Sequence, residues 1–259
     1  MPAAIRSTLI ICAVIFAVAV PSLQAVYQLG MSASEFSFQG NSTLRVEGFA
    51  FAIWGLLYLG MIIYALYQAL PVARASETLA IYAWPSFVAI SGCGLWILMA
   101  ALNWTWMTVV VISLSAAALI VAILQAKGAG QLRDRLLISL PLNLLAGWLT
   151  IASIVNIVTV LTIERIITTD IAMMAALAAI GGAAIIAASV AVAGRSAFYL
   201  APIVWGLHGV RIAESARQPV VADAAGVAIL LLGSLAVTLV LLGVAGFVKR
   251  GQGATGVGA

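Results

Sequence analysis

Long apolar runs, separated by short polar breaks, extend along almost the whole chain. A helix needs about 20 apolar residues to cross the hydrocarbon core of a bilayer. Stretches of that length occupy residues 6–28, 47–70, 78–101, 105–125, 136–162, 170–193, 196–215 and 221–248. The pattern therefore predicts an all-α fold, a polytopic transmembrane helix bundle of about eight spans.

The breaks between the runs are short, and the longest is the Ser- and Gly-rich loop 29–46. The Gly-rich end, 251–259, is predicted to be a flexible tail. The first run, in which Arg6 precedes small and apolar residues, would also suit a cleaved signal peptide. We expect it to be retained, because apolar character continues to Tyr27 and Pro21 fits a kink in a membrane helix.

Composition supports a membrane environment. Hydrophobic residues make up 64% of the chain and charged residues 8%, whereas soluble domains carry about 25% charged residues. The net charge of +4 is small and scattered, which gives no indication of a nucleic-acid partner. Cys12 and Cys93 fall within apolar spans and show no disulfide or metal-site spacing. The partner that the composition implies is the lipid bilayer.

The distribution of Lys and Arg predicts the orientation. With eight spans, both termini lie on one side of the membrane. That side carries Arg6, Arg74, Lys127, Arg133, Arg135, Arg195, Lys249 and Arg250, and the other carries Arg45, Arg165, Arg211 and Arg217. The positive-inside rule therefore predicts an integral membrane protein, in a bacterial inner membrane, with both termini cytoplasmic.

Charged and metal-binding side chains limit the chemistry. Lys127 and Lys249 are the only lysines and lie at span ends, so a retinal Schiff base within the last span is excluded. Charged residues cluster at span ends, which argues against ion-coupled transport. The single histidine, His208, is either an axial haem ligand or an interhelical hydrogen-bonding residue. We predict no catalytic residue and no metal site, and the sequence favours a protein that is not an enzyme.

Small residues dominate the sixth run, 170–193. Ala178 and Gly182 are four positions apart, a spacing that permits close approach of helices. We expect this face to pack within the same chain, and a homodimer is the alternative.

Seven tryptophans stand out in this apolar background. They are Trp54, Trp84, Trp96, Trp104, Trp106, Trp148 and Trp205. Trp104 and Trp106 fall in a turn between spans, where aromatic residues anchor a protein at the membrane interface. The tryptophans deeper inside spans either fill gaps between helices or form the walls of a pocket for a flat apolar ligand. Their spacing alone leaves both interpretations open.

One helix face in the fifth run combines an aromatic, a small and an amide side chain. Trp148, Ala152 and Asn156 are spaced by four residues and share that face. An amide is costly against lipid, so Asn156 should face the bundle and find a hydrogen-bond partner. Thr150 and Ser153 can instead bond to carbonyl groups four residues earlier.

This segment, with Pro141-Leu142 ahead of it, resembles the fifth helix of the TspO family. These are the tryptophan-rich sensory proteins, which include the mitochondrial translocator protein (peripheral benzodiazepine receptor). FAFAIWGLLYLGMIIYALYQ, with Trp54 and Tyr58, resembles the aromatic second helix of the family, and Trp96 falls where its third helix would be. The similarity covers about residues 5–162, although the Pro-Pro pair that precedes the second helix in the family is absent.

The resemblance implies a TspO-like five-helix transmembrane bundle in 1–165, followed by three additional transmembrane helices in 166–250. Family members form a pocket for porphyrins, related tetrapyrroles, sterols or synthetic ligands. The ligand-binding residues it implies are Trp54, Tyr58, Trp96, Trp148, Ala152 and Asn156, with Phe51, Trp205 and His208 as secondary candidates. No cofactor is required, porphyrin or haem would be a ligand, and the 29–46 loop would cover the pocket mouth.

We accordingly predict that the protein binds a flat apolar ligand, tetrapyrrole-like or sterol-like, in a sensory or trafficking role. One alternative is a small-solute transporter in which Gly181-Gly182 interrupts a helix as a hinge. Another is a membrane enzyme that acts on a porphyrin or lipid through His208 or a cluster of Arg211, Glu214 and Asp223.

Overall fold

The computed structural model describes residues 3–255 except 74 and 129, with side chains described from residue 4 to residue 245. The helices are α1 Ala3–Tyr27, α2 Ala33–Phe38, α3 Ile53–Ala69 after a 3₁₀ turn at Gly48–Ala52, α4 Glu77–Ala101, α5 Thr105–Ala126, α6 Leu132–Ile163, α7 Ala172–Gly194, α8 Leu200–Glu214 and α9 Pro219–Thr255. No strand occurs over the described ranges, so the predicted helical bundle is confirmed. Arg74, used above to predict orientation, lies outside the described residues, as do the side chains of Lys249 and Arg250.

Seven of the described helices, rather than eight, are long and apolar enough to cross a membrane. The predicted span 196–215 forms only α8, which has 15 residues. At about 1.5 Å per residue, α8 is about 22 Å long, which is less than the thickness of the hydrocarbon core, about 30 Å. The apolar run is long enough, but residues 195–199 turn the chain before the helix begins.

α6 is the central helix. Of its most apolar stretch 67% is buried, against 11% for α9 at the periphery. Its start is fixed by the buried carboxylate of Asp134, which accepts hydrogen bonds from the Tyr67 hydroxyl (2.7 Å) and the Ser76 hydroxyl (2.6 Å). α6 packs against α3, α5, α7 and α8.

The connections divide between two ends of the bundle. The 29–46 loop lies at the end where Thr43 bonds Thr162 (2.8 Å) and Thr105 bonds Glu164 (2.9 Å), which we call the loop end. Asp134 and the connections 70–76, 127–131 and 195–199 lie at the opposite end. The sequence analysis assigned the basic residues to two sides of the membrane. Those that the structure describes lie at the two corresponding ends of the bundle.

Gly147 allows α6 to pack closely against the start of α8, at Tyr199 and Pro202. A Cβ there would collide with the Tyr199 carbonyl oxygen and lie 3.2 Å from Pro202 Cδ. We expect Gly147→Ala to lower the free energy of unfolding by about 1–3 kcal/mol through overpacking. Gly181→Ala is the control, since a Cβ there meets nothing within 4 Å and helix propensity should add up to about 1 kcal/mol. Equal thermal unfolding temperatures for the two variants would contradict this packing.

Two expectations about the C-terminal third require correction. Of the predicted pair, Ala178 is exposed on α7 and Gly182 is half-buried with nothing within 4 Å of its Cβ position, so this pair does not form a packed contact within the chain. The buried face of α7 includes Ala176, Ile180 and Ala183. α7 also continues without interruption through the Gly181-Gly182 pair. The helical spacing of the buried apolar residues determines which side of α7 packs against the bundle, and the two glycines do not.

The last helix also extends further than expected. α9 continues to Thr255, past residue 251 where the flexible tail was predicted to begin, and residues 256–259 lie outside the described ones.

Candidate ligand-binding cavity

A cavity lies between α3, α4, α5, α6 and α8, beneath the 29–46 loop. The empty space between its walls, together with the solvent space at its open mouth, is about 730 Å³. Its lining residues are Ser37, Val46, Phe51, Trp54, Gly92, Cys93, Trp96, Ile112, Ser115, Trp148, Leu149, Ile151, Ala152, Val155, Asn156, Thr159 and Gly206. Most of these groups are apolar, and seven of them come from α6.

Aromatic rings form one wall. The Trp148 ring meets Phe51 and Trp54 edge to face, with centroid distances of 6.3 and 6.2 Å. Trp54 in turn stacks on Tyr58 at 5.3 Å. Edge-to-face contacts hold the rings at fixed angles, so this wall is preformed.

Asn156 forms the polar part of the cavity. Its Oδ1 accepts from Trp96 Nε1 (3.3 Å), and its Nδ2 donates to Thr108 Oγ1 (2.9 Å). Asn156 is buried, so the prediction that it faces the bundle and is hydrogen-bonded is confirmed. Ala152, one turn away, lines the cavity between Asn156 and Trp148.

The indole N–H of Trp148 is buried and has no hydrogen-bond partner. Trp148 is 4% exposed, so bulk water cannot satisfy this donor. An unsatisfied buried donor costs about 1–3 kcal/mol. Trp148 lines the cavity, so one of the lining residues carries a donor without a partner.

The predicted residues separate into two groups. Trp54, Trp96, Trp148, Ala152, Asn156 and the secondary candidate Phe51 line the cavity. Tyr58 stacks on Trp54 and is not among the lining residues. Trp205 does not line it, because its indole points to the Ala50 carbonyl oxygen (2.9 Å).

His208 is also absent from the cavity wall. Its ring packs against Phe49 at 5.9 Å, on the other side of the turn that leads into α3. Trp205 contacts the same Phe49 ring at 5.3 Å. His208 is therefore not placed to ligate a haem in this cavity.

Several lining residues were missed by the sequence analysis. Gly92, Cys93, Ser115 and Gly206 carry little side chain and give no aromatic or charged signal. Gly206 could have been suspected from its position beside Trp205. A Cβ there would lie 3.1 Å from two Ile151 carbons, so its small size brings α8 close to the cavity.

The 29–46 loop contributes Ser37 and contacts the cavity at Val46, and it is anchored by apolar contacts. Phe36 is completely buried and meets the Trp96 ring edge to face at 5.9 Å. Its short helix α2 begins with a capping box between Ser32 and Glu35. Hydrogen bonds from Ser32, first from its backbone N–H, hold the pKa of Glu35 below its ordinary value, so this cap persists at neutral pH.

A buried carboxylate at the end of α8 holds the far part of the loop. Glu214 is fully buried and accepts from the Arg45 backbone N–H (2.6 Å) and from Arg217 Nη2 (2.6 Å) and Nε (2.9 Å). Arg217 Nη1 also donates to the Ser42 carbonyl oxygen (3.2 Å). The sequence analysis grouped Arg211 with Glu214, but in the structure Arg217 reaches the carboxylate from the following turn. We call Glu214, Arg217 and Arg45 the loop clasp.

Glu214→Gln should loosen the loop clasp while preserving the shape of the side chain. The amide cannot accept both guanidinium hydrogen bonds, and hydrogen bonds to charged groups contribute about 1.5–3 kcal/mol. Backbone amide exchange in residues 40–47 should then become about 10–100-fold faster by hydrogen–deuterium exchange. Glu164→Gln, at an exposed loop-end position bonded to Thr105, is the control and should leave that exchange unchanged. Unaltered exchange in Glu214→Gln would show that the clasp does not hold the loop.

Comparison with known proteins gives one match. A sequence model of the family described as TSPO-like protein matches residues 7–238, so the similarity includes α7, α8 and part of α9 as well as the first five spans. No match was found among the curated proteins or among the solved structures.

Proposed function

Because the chain belongs to the TSPO-like protein family, we propose that it binds a flat apolar ligand, tetrapyrrole-like or sterol-like, in the tryptophan-walled cavity. The observation that carries this proposal is the combination of an apolar cavity with rigid indole walls and a single unsatisfied donor, the Trp148 N–H. No cofactor is needed for this role.

The shape and polarity of the walls support a flat, largely apolar ligand. Indole faces and edges stack favourably on planar ring systems. The polar groups on the lining are few, and the Asn156 amide is already bonded to Trp96 and Thr108. A strongly polar solute would lose its hydration in such a cavity without gaining partners.

The Trp148 N–H supports a ligand that carries a hydrogen-bond acceptor on its apolar body. An unprotonated, imine-type ring nitrogen, a carboxylate, a hydroxyl oxygen or a ketone oxygen would all satisfy this donor. A pure hydrocarbon would leave the donor unsatisfied, and binding should then be weaker by the strength of one hydrogen bond.

The loop supports a sensory or trafficking role. Ser37 and Val46 belong to the loop region and line the cavity, so a bound ligand would contact the segment that covers it. The loop clasp connects this segment to the turn between α8 and α9. Ligand binding would therefore bias the arrangement of the loop and the C-terminal helices together.

Orientation belongs to the same proposal. The loop end carries Arg45, Arg165, Arg211 and Arg217, and most of the remaining basic residues lie at the opposite end. The positive-inside rule then assigns the loop end to the non-cytoplasmic side. The cavity mouth would face away from the cytoplasm of a bacterial inner membrane.

Titration with protoporphyrin IX tests the proposed function. Protein in phosphatidylcholine nanodiscs should shift the Soret absorbance and lose tryptophan fluorescence, and both signals should saturate near one porphyrin per chain. Empty nanodiscs are the control for partition into lipid. A signal that rises without saturation, in parallel with empty nanodiscs, would contradict a site in the protein.

A further inference from the structure

Two buried polar side chains at the end opposite the loop have unsatisfied hydrogen-bonding groups. Arg6 on α1 is 6% exposed, and its Nε and Nη2 atoms have no partner. Gln68 on α3 is 1% exposed, and neither its amide nitrogen nor its amide oxygen has a partner. Buried polar groups in proteins are almost always hydrogen-bonded, so four such atoms at one end of the bundle require an explanation.

The helix faces bring these side chains to the same interface. Arg6 shares the buried face of α1 with Ile10 and Ala13. Gln68 lies one turn beyond Tyr64 on the buried face of α3. The Ser7 hydroxyl donates to the backbone carbonyl oxygen of Gln68 (3.1 Å), which holds the two helix ends side by side.

The other polar groups nearby are already engaged. The Tyr64 hydroxyl is bonded to Ser86 (2.8 Å), and the Asp134 carboxylate accepts from Tyr67 and Ser76. Over the described part of the chain, no carboxylate lies within ion-pair distance of the Arg6 guanidinium. A buried guanidinium without a counter-charge is unfavourable, and an anion from outside these residues would offset that cost.

The free atoms indicate the chemistry of that anion. Nε and Nη2 form one edge of the guanidinium, two parallel donors that match two oxygens of a phosphate. Gln68 adds one donor and one acceptor. We propose that Arg6 and Gln68 form a binding site for a phosphate group that also carries a hydrogen-bond donor, as in a lipid headgroup with hydroxyls or in free hydrogen phosphate.

The position of the site favours the lipid as the source. Arg6 lies near the first residue of the apolar helix α1, at the depth where phospholipid headgroups meet a membrane protein. Basic pockets between transmembrane helices are known to bind anionic headgroups. The site is separate from the tryptophan-walled cavity and does not depend on the proposed function.

Thermal unfolding of the purified, delipidated full-length protein tests the site. The probes are phosphatidylglycerol, phosphatidylmethanol (an anionic diester without a headgroup hydroxyl), phosphatidylcholine and inorganic phosphate. At about 100 times its dissociation constant, phosphatidylglycerol should raise the unfolding temperature by about 5–10 °C. Phosphatidylmethanol should give a smaller shift and phosphatidylcholine almost none. An equal shift with millimolar inorganic phosphate would identify free phosphate as the source of the same group.

Variants separate this site from general charge effects. Arg6→Gln should abolish the shift, and Arg6→Lys should weaken it because the paired donors are lost. Gln68→Leu should make phosphatidylglycerol and phosphatidylmethanol equivalent. Arg135→Gln removes an exposed charge at the same end and should keep the full shift. The proposal is overturned if no phosphate compound raises the unfolding temperature of the wild type. It is also overturned if Arg6→Gln and Gln68→Leu both respond as the wild type does. Where Arg6→Gln does not fold, a wild-type response of Gln68→Leu alone overturns it.

Discussion

Replacing Ala152 by phenylalanine should reduce the affinity for protoporphyrin IX by about 10–100-fold. Ala152 lies between Trp148 and Asn156 on the cavity wall, and a benzyl group there would occupy the space that we assign to the ligand. Overpacking of a fitted site costs about 1–3 kcal/mol, and each 1.4 kcal/mol corresponds to about a tenfold change in affinity. Porphyrin titration in nanodiscs, followed by Soret absorbance, measures the effect.

Ala178→Phe is the matched control for this variant. It makes the same change at an exposed position on α7, so the affinity for porphyrin should be that of the wild type. An equal loss in both variants would indicate a general effect on the bundle. Unchanged affinity in Ala152→Phe would mean that the ligand binds elsewhere.

Trp148→Phe should weaken porphyrin binding and leave the unliganded protein as stable as before, or more stable. The substitution keeps an aromatic ring against Phe51 and Trp54 but removes an N–H that has no partner without ligand. Loss of one hydrogen bond to the ligand corresponds to about 0.5–1.5 kcal/mol, or about a 3–10-fold weaker affinity. Calorimetric titration and thermal unfolding provide the two values.

The opposite signs distinguish a ligand-binding role for Trp148 from a structural one. If the indole only filled space, Phe would lower stability and affinity together through the loss of packing. Trp84→Phe is the control, because Trp84 is 56% exposed on the outside of α4. Neither quantity should change in that variant.

The membrane-helix architecture follows from sequence because hydropathy acts over long stretches. Long apolar runs form helices because a helix satisfies all of its backbone hydrogen bonds within one segment, as lipid requires. The run 196–215 is the exception: its residues are apolar, but the chain turns within it and leaves α8 too short. Hydropathy measures burial and cannot distinguish a helix buried in protein from one that crosses the membrane.

The tryptophan wall was predictable in part. Trp148, Ala152 and Asn156 share a face because they lie on one continuous helix, and the cost of an amide in lipid turns that face inward. Tyr58 was assigned to the cavity by resemblance and Trp205 as a secondary candidate, and both lie outside its lining. Whether a side chain reaches a cavity or lies behind its neighbour depends on packing between helices, which spacing along one helix does not encode.

The loop clasp could not have been predicted from spacing. Arg211 and Glu214 are one turn apart on α8, which favours a pair within the helix. In the structure Glu214 turns to Arg217 and to the backbone of a loop 169 positions earlier in the chain. Contacts between distant segments decide such pairs. They also give α8 and α9 a role in holding the loop over the cavity.

Anomalous diffraction from crystals grown with zinc protoporphyrin IX tests the central claim most directly. The zinc atom marks the centre of the ligand independently of the positions of the surrounding side chains. We predict one strong zinc peak per chain, between α3, α4 and α6 and beneath the 29–46 loop, with the ring against Trp148. A zinc peak confined to the lipid-facing surface, with the cavity filled only by solvent, would contradict this claim.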